Sequence, residues 1–212
     1  MSEISALLSK LEDPFQMFPL QEVARILSQS VENAENCLAQ RAGWLGVSKK
    51  YRSVDEEHQE EVIFCLIGSA FVLGQSAITQ SVAITKKIHD TAGKPLWLPN
   101  AKPDILNTEA TIHQKTGLSE TILFDAVANY FKHHREWSAD WNSIEGRGQP
   151  FQTIKIVRQL GLSPDSDANL QIAMHNLGFG ETGIGSLGES IQNWRERLTE
   201  NLRKRLYEHN KV

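Results

Sequence analysis

Cysteine is scarce in this chain. Cys37 and Cys65 are the whole complement, too few for the disulfide framework of a small secreted domain. Both lie inside apolar periodic segments, where two buried, reduced thiols are expected. No Cys-x-x-Cys or His-x-x-x-His spacing occurs, so structural zinc has no ligand set. The longest nearly apolar run, Val62 to Gly74, has 13 residues including Ser69. A bilayer span needs roughly 20. The N-terminal MSEISALLSKLED carries acidic residues early and lacks the basic-then-apolar pattern of a secretory signal. These absences predict a soluble, cytoplasmic protein with no membrane partner. No single sign of charge dominates: 22 Lys and Arg stand against 26 Asp and Glu, a net charge of −4. The molecule as a whole therefore gives no DNA signal, while a local basic patch stays open.

What is abundant is helical periodicity, with no convincing strand. The 212 residues, 40% hydrophobic, suit a single domain with its own core. Leu20, Val23, Ala24, Leu27, Val31, Ala34, Cys37 and Leu38 predict a first main helix over 20–42, with Pro19 before it and Gly43 and Gly46 as stops. Ser53-Val54-Asp55-Glu56 reads as a capping box. It opens a second helix of about 38 residues, free of proline until past Gly93. Gly68 and Gly74 inside it predict close approach of another helix backbone.

Pro95, Pro99 and Pro103 mark an irregular connection with a short helix over 104–114, and a third main helix follows over 119–137. Gly146, Gly148 and Pro150 break the chain before two short helices, 151–160 and 166–176. A second capping box, Ser186-Leu187-Gly188-Glu189, starts a long last helix with Leu187, Ile191, Trp194, Leu198, Leu202 and Leu206 as its stripe. The fold class is all-α, a bundle of four main helices, one of them very long, with a small helical insertion over 138–185.

Several motifs compete for function. Gly178 to Gly183 spells G-x-G-x-x-G, but a helix precedes it where a dinucleotide site needs a strand, so it reads as a glycine loop. Asp55-x-x-His58 lacks the second Glu-x-x-His of a di-iron bundle and reads as a solvated first turn. No serine or cysteine has an activating context. Arg195, Arg197, Arg203, Lys204 and Arg205 alternate with Glu196 and Glu200, as on a solvated face; RNA-phosphate contact is the sharper alternative. No metal or cofactor is implied.

The third helix carries ANYFKHHREW, Ala128 to Trp137. On a helical wheel Leu123, Phe124, Val127, Tyr130, Phe131 and His134 share an apolar face, which makes His134 a hydrogen-bonded boundary residue. Asp125, Asn129, Lys132, His133 and Glu136 share the other. Imidazole can move protons at neutral pH, and an amide or carboxylate neighbour can fix its tautomer. His133, Asn129 and Glu136 are therefore the candidate catalytic and orienting groups. Lys132 and Arg135 are the candidate RNA contacts.

Asn129-Tyr130-Phe131-Lys132-His133 resembles the Asn-x-x-x-His end of the Arg-Asn-x-x-x-His motif of HEPN domains. The Lys132–Trp137 wording is also similar to that of uncharacterised bacterial proteins. The HEPN resemblance covers roughly 20–137 and 186–209, and implies a helical bundle whose motif lies near a homodimer interface. It also implies metal-independent RNA cleavage in a toxin or phage-defence protein, with His133 and Asn129 lining the cleft and the RNA 2′-hydroxyl as nucleophile. Where the family places arginine, this chain has Ala128, and neither Lys132 nor Arg135 replaces that planar fork. Two readings follow: an endoribonuclease using His133, or a non-catalytic homodimeric module that binds protein or RNA.

Overall fold

The computed structural model describes residues 3–13, 18–45, 54–137, 141, 148–164, 166–179 and 183–209. Ser53 of the first capping box, Gly46, Gly146 and the centre of the glycine loop, 180–182, lie outside them. Among the described residues the chain forms eight α-helices and no strand. These are α1 (Glu3–Glu12), α2 (Phe18–Leu45), α3 (Val54–Thr91), α4 (Lys102–Asn107), α5 (Glu120–His133), α6 (Gln149–Gln159), α7 (Asn169–Asn176) and α8 (Ser186–His209). One isolated antiparallel bridge joins Ile112 to Ser119 ahead of α5.

The axis of the fold is α3, which packs against α1, α2, α4, α5, α7 and α8. Its 38 residues match the predicted length. Ile63, Ile67, Phe71, Ile78, Val82 and Ile88 recur at three- and four-residue steps, or their multiples, and are buried. By length and composition Glu60–Thr91 could also cross a membrane, at a mean hydropathy of 1.9, but half of that window is buried among the other helices.

At Gly68 a Cβ would overlap the Phe131 ring, and at Gly74 it would stand 2.9 Å from Ile191 Cδ1. The two glycines admit large side chains from α5 and α8, not another backbone. Phe131 in turn packs at a tilt against Phe64, with ring centroids 5.5 Å apart.

The structure departs from the sequence-based expectations at several further points. First, α1 has no place in a four-helix scheme, yet Leu7, Leu8 and Leu11 are buried against α3 and α8. A ten-residue helix is marginal alone, so docking is what forms it. Second, Cys37 and Cys65 are exposed. Each falls between the buried stripe positions of its helix, and an apolar neighbourhood in sequence did not place it on the inner face.

Third, α2 continues through Gly43 to Leu45. The helix expected over 104–114 is α4 alone, after which the chain bends into the Ile112–Ser119 bridge. Fourth, α5 stops at His133, and His134–Glu136 tighten into a 3₁₀ turn.

Fifth, the basic residues of α8 are a solvated face only in part: Arg203 and Lys204 are exposed, while others turn inward. Arg195 is wholly buried, its Nη2 donating to the Lys10 carbonyl at 3.3 Å, and burial holds its pKa below the usual arginine value. Arg203 pairs with Glu12 at 2.5 Å. Arg197 donates to the Glu109 carbonyl at 2.9 Å, and Arg205 to that of Trp97 at 2.5 Å. These cations tie α8 to α1 and to the 92–111 connection.

The segment 138–185, expected as an insertion, contributes Ile154, Val157, Leu160, Leu170 and Ala173 to the same continuous core. His113 links it to the segment before α5. Its Nε2 donates to the Asn176 carbonyl at 2.7 Å, which leaves Nδ1 to accept from the Thr116 hydroxyl at 3.1 Å. At the second capping box, Ser186 is the first helical residue and its hydroxyl donates to the Gly183 carbonyl at 3.1 Å.

Substituting Gly68→Ala should destabilise the protein by about 1–3 kcal/mol despite alanine's better helix propensity, because the Phe131 ring must shift. Urea unfolding at constant m-value measures this. Burial raises the pKa of Glu120 above the ordinary glutamate value, against the pull of nearby His113 and Arg197. The folded state therefore holds that proton more tightly than the unfolded chain. Its contribution is complete below the unfolded pKa and is lost as pH rises through the folded one. Glu120→Gln should raise Tm at pH 7 more than at pH 4 in paired thermal melts.

Candidate functional site

Asp125, Asn129 and Lys132 follow one another at four- and three-residue steps along α5 and face Gln75 of α3. The Gln75 amide nitrogen donates to Asn129 Oδ1 at 3.0 Å and to Asp125 Oδ1 at 2.9 Å, with the Asp125 carbonyl at 3.2 Å. Its Oε1 accepts from Lys132 Nζ at 2.6 Å. Lys102, at the start of α4, grips both oxygens of Asp125 at 2.8 and 2.7 Å. Gln75 and Asn129 are buried, and their amides find partners in this network, Asn129 Nδ2 donating to Asp125 Oδ2 at 3.5 Å. Three helices are thereby joined through one polar network.

His133 stands apart from that network. It ends α5, is about half exposed, and its Nδ1 lies 3.2 Å from Glu136 Oε2. Glu136 is itself 72% exposed. An exposed pair of this kind contributes little to stability. The five residues expected on one polar face are therefore divided. Asp125, Asn129 and Lys132 belong to the α3–α5 seam, and His133 and Glu136 to a solvent-facing turn. The 3₁₀ tightening after His133 causes the split.

On the opposite side, His134 Nδ1 donates to the Phe131 carbonyl at 2.9 Å. Its ring lies 5.3 Å from both Phe64 and Tyr130. Tyr130 continues the cluster to Trp137 and Trp141, while its hydroxyl accepts from Asn169 at 2.8 Å. Burial raises the Tyr130 pKa above the usual tyrosine value, so this hydroxyl stays protonated at neutral pH. His134 is thus a boundary residue that closes an aromatic cluster. Ala128 is completely buried, and its position opens into core, not into a cleft.

The concave surface beside this helix end is a cleft of about 920 Å³ floored by Phe64, Tyr130 and His134. Glu35, Glu57, Glu60, Glu61 and Asp167 line it, with Arg135 as its one Lys or Arg among the described residues. Arg135 sits 3.7 Å from Glu61. His133 and Asn129 do not line it. The excess of carboxylates repels a phosphate backbone. No group of three or more His, Cys, Asp or Glu able to hold a metal ion occurs among the described residues.

No family model, curated protein or solved structure matches the chain.

Gln75 and Lys102 are the two members of the polar network that sequence patterning does not single out. The available signal was thin: Gln75 is one of two glutamines in an otherwise uncharged run, Val62–Thr85. Gln75→Leu leaves Asn129 Oδ1 buried without its donor and should cost about 1–3 kcal/mol. His133→Ala should change stability by less than about 0.5 kcal/mol. Denaturation of the two single variants measures both, and equal losses would contradict the separation of His133 from the seam.

Proposed function

We propose that the chain is a non-catalytic, self-associating helical module, a degenerate relative of the HEPN bundles that Asn129-x-x-x-His133 resembles, acting in the cytoplasm. The observation that carries this reading is the destination of Asn129. Its amide is committed to Gln75 and Asp125 inside the α3–α5 seam, while His133 is about half exposed and, among the described residues, is partnered by Glu136. Groups that share one catalytic site must reach the same reacting atoms. These two residues serve different surfaces.

The cations support the same reading. Lys132 is bonded to Gln75, and Arg135 stands at the rim of a cleft lined by carboxylates, with Glu61 at 3.7 Å. Buried Ala128 supplies no phosphate clamp. A module of this kind works through the surface it offers to another chain.

The 3.2 Å His133–Glu136 contact favours a second reading, RNA cleavage by an imidazole held by a carboxylate, in a toxin or phage-defence protein. The experiment that separates the two incubates wild type and His133→Ala with single-stranded and structured RNA in EDTA. The expected result is no cleavage by either. Turnover by wild type that His133→Ala abolishes overturns the non-catalytic reading.

A further inference from the structure

The cleft at the N-terminal end of α3 repels RNA, and its lining fits a ligand of the opposite charge. Four parts of the chain build its walls: Glu35 from α2, Glu57, Glu60 and Glu61 from α3, Arg135 from the turn after α5, and Asp167 from the segment before α7. Carboxylates exceed cations there by four, which is the acidic excess of the whole sequence, 26 against 22. The remainder of the sequence is therefore balanced, and the negative charge is concentrated at this one surface. Glu35, Glu57 and Asp167 have no ion pair among the described residues, and the Glu61–Arg135 contact is exposed and loose at 3.7 Å.

The floor adds a second kind of attraction. Phe64 and His134, both partly exposed, meet edge to face with ring centroids 5.3 Å apart, and Tyr130 lies 5.3 Å beyond His134. Aromatic rings attract a cation through their quadrupole, and their surface takes up the aliphatic stem that carries it. Gln171, in the same wall, has a buried side-chain oxygen that meets no donor of the chain, an acceptor left for an incoming N–H. No three acidic groups among the described residues come close enough to hold one metal ion, so a compact cation cannot collect this charge. At about 920 Å³ the cleft has room for several side chains. We infer that it docks a basic segment of a partner protein, an extended stretch bearing several lysines or arginines. One stem lies on Phe64 and His134, and the charges are shared among Glu35, Glu57, Glu61 and Asp167. Arg135 is the resident cation that such a segment displaces from Glu61. This rests on the non-catalytic module proposed above, and adds the surface it uses and the chemistry of what it binds.

Fluorescence anisotropy of the full chain with a labelled octapeptide of alternating lysine and arginine, at about 0.15 M salt, tests it. Saturable binding with a Kd on the order of micromolar is expected, and none to an octaglutamate. Glu57→Gln with Asp167→Asn should weaken the complex by roughly tenfold or more. Glu196→Gln with Glu200→Gln makes the same charge change on α8, away from the cleft, and should alter it by less than about twofold. Phe64→Leu keeps an apolar side chain without the ring and should weaken binding by about threefold. Arg135→Gln should tighten it by about threefold, because the resident cation no longer competes. Thermal melts confirm that each variant is folded.

Five outcomes overturn the inference. No saturation by the peptide below about a millimolar removes it and leaves the non-catalytic reading standing, since that reading falls to His133-dependent RNA turnover instead. Equal weakening by the α8 pair means diffuse attraction to net charge and no docking site. A weaker complex on Arg135→Gln assigns the cleft to an anion. Spermine that binds as tightly as the peptide, with the same dependence on Glu57, Asp167 and Phe64, assigns it to a free polyamine. Peptide binding that appears only when Lys49, Lys50 and Arg52 are all changed to Gln assigns the cleft to the chain's own basic stretch.

Discussion

The contact between α3 and α5 at Gly68 and Phe131 governs the arrangement of the whole molecule. Without a side chain at Gly68 the Phe131 ring lies against the α3 backbone. The two helices are thereby brought close enough for Gln75 to reach both Asp125 and Asn129 a few turns away. Close packing of this kind tolerates almost no added volume. Gly74 repeats the device toward α8, where Ile191 and Leu187 fill the space. A helix surrounded on most sides has to be small at the points where its neighbours press hardest.

The same closeness sorts the residues of α5 by environment. Toward α3 and α4, Asp125 is held between Lys102 and Gln75, and the amide of Asn129 is exchanged for internal hydrogen bonds. Toward α6 and α7, Tyr130 and His134 are absorbed into an aromatic cluster. His133 and Glu136 are left in water because the helix has already ended. A buried polar network that is fully partnered rigidifies the elements it joins, and the chemistry-bearing side chains of this one are occupied in doing so. That is why the histidine with the most suggestive sequence neighbours is left about half exposed.

Charge follows a similar division. The arginines of α8, which in sequence look like a solvated or phosphate-binding face, hold α8 to α1 and to the 92–111 connection through carbonyls and Glu12. The acidic residues gather around the cleft at the N-terminal end of α3, and Lys86 and Lys87 mark its other end. The long uncharged middle of α3 serves two surfaces at once, an inner one in contact with six helices and an outer one along which Cys65, Ser69, Leu73 and Ser76 are exposed.

Much of the fold was legible in the sequence because helical periodicity is local: the 38-residue length of α3 and the span of α8 follow from apolar spacing and the absence of proline. The splitting of the two histidines was legible for the same reason, since neighbours on a helix point about 100° apart. Which apolar face of α3 turns inward was not, because apolar residues occur on all its sides. Cys65 was placed wrongly on that account, and Cys37 because it sits one position off the α2 stripe. Nor could spacing show that Arg195 is buried, that α1 docks as a helix, or that Asn129 answers to Gln75, 54 residues earlier in the chain. By itself the sequence determined the helices and their lengths, through interactions spanning a turn or two of backbone. Tertiary structure alone decided which polar groups are consumed in packing and which remain free to meet another molecule, because burial and hydrogen-bond partners are set by residues far apart in the chain.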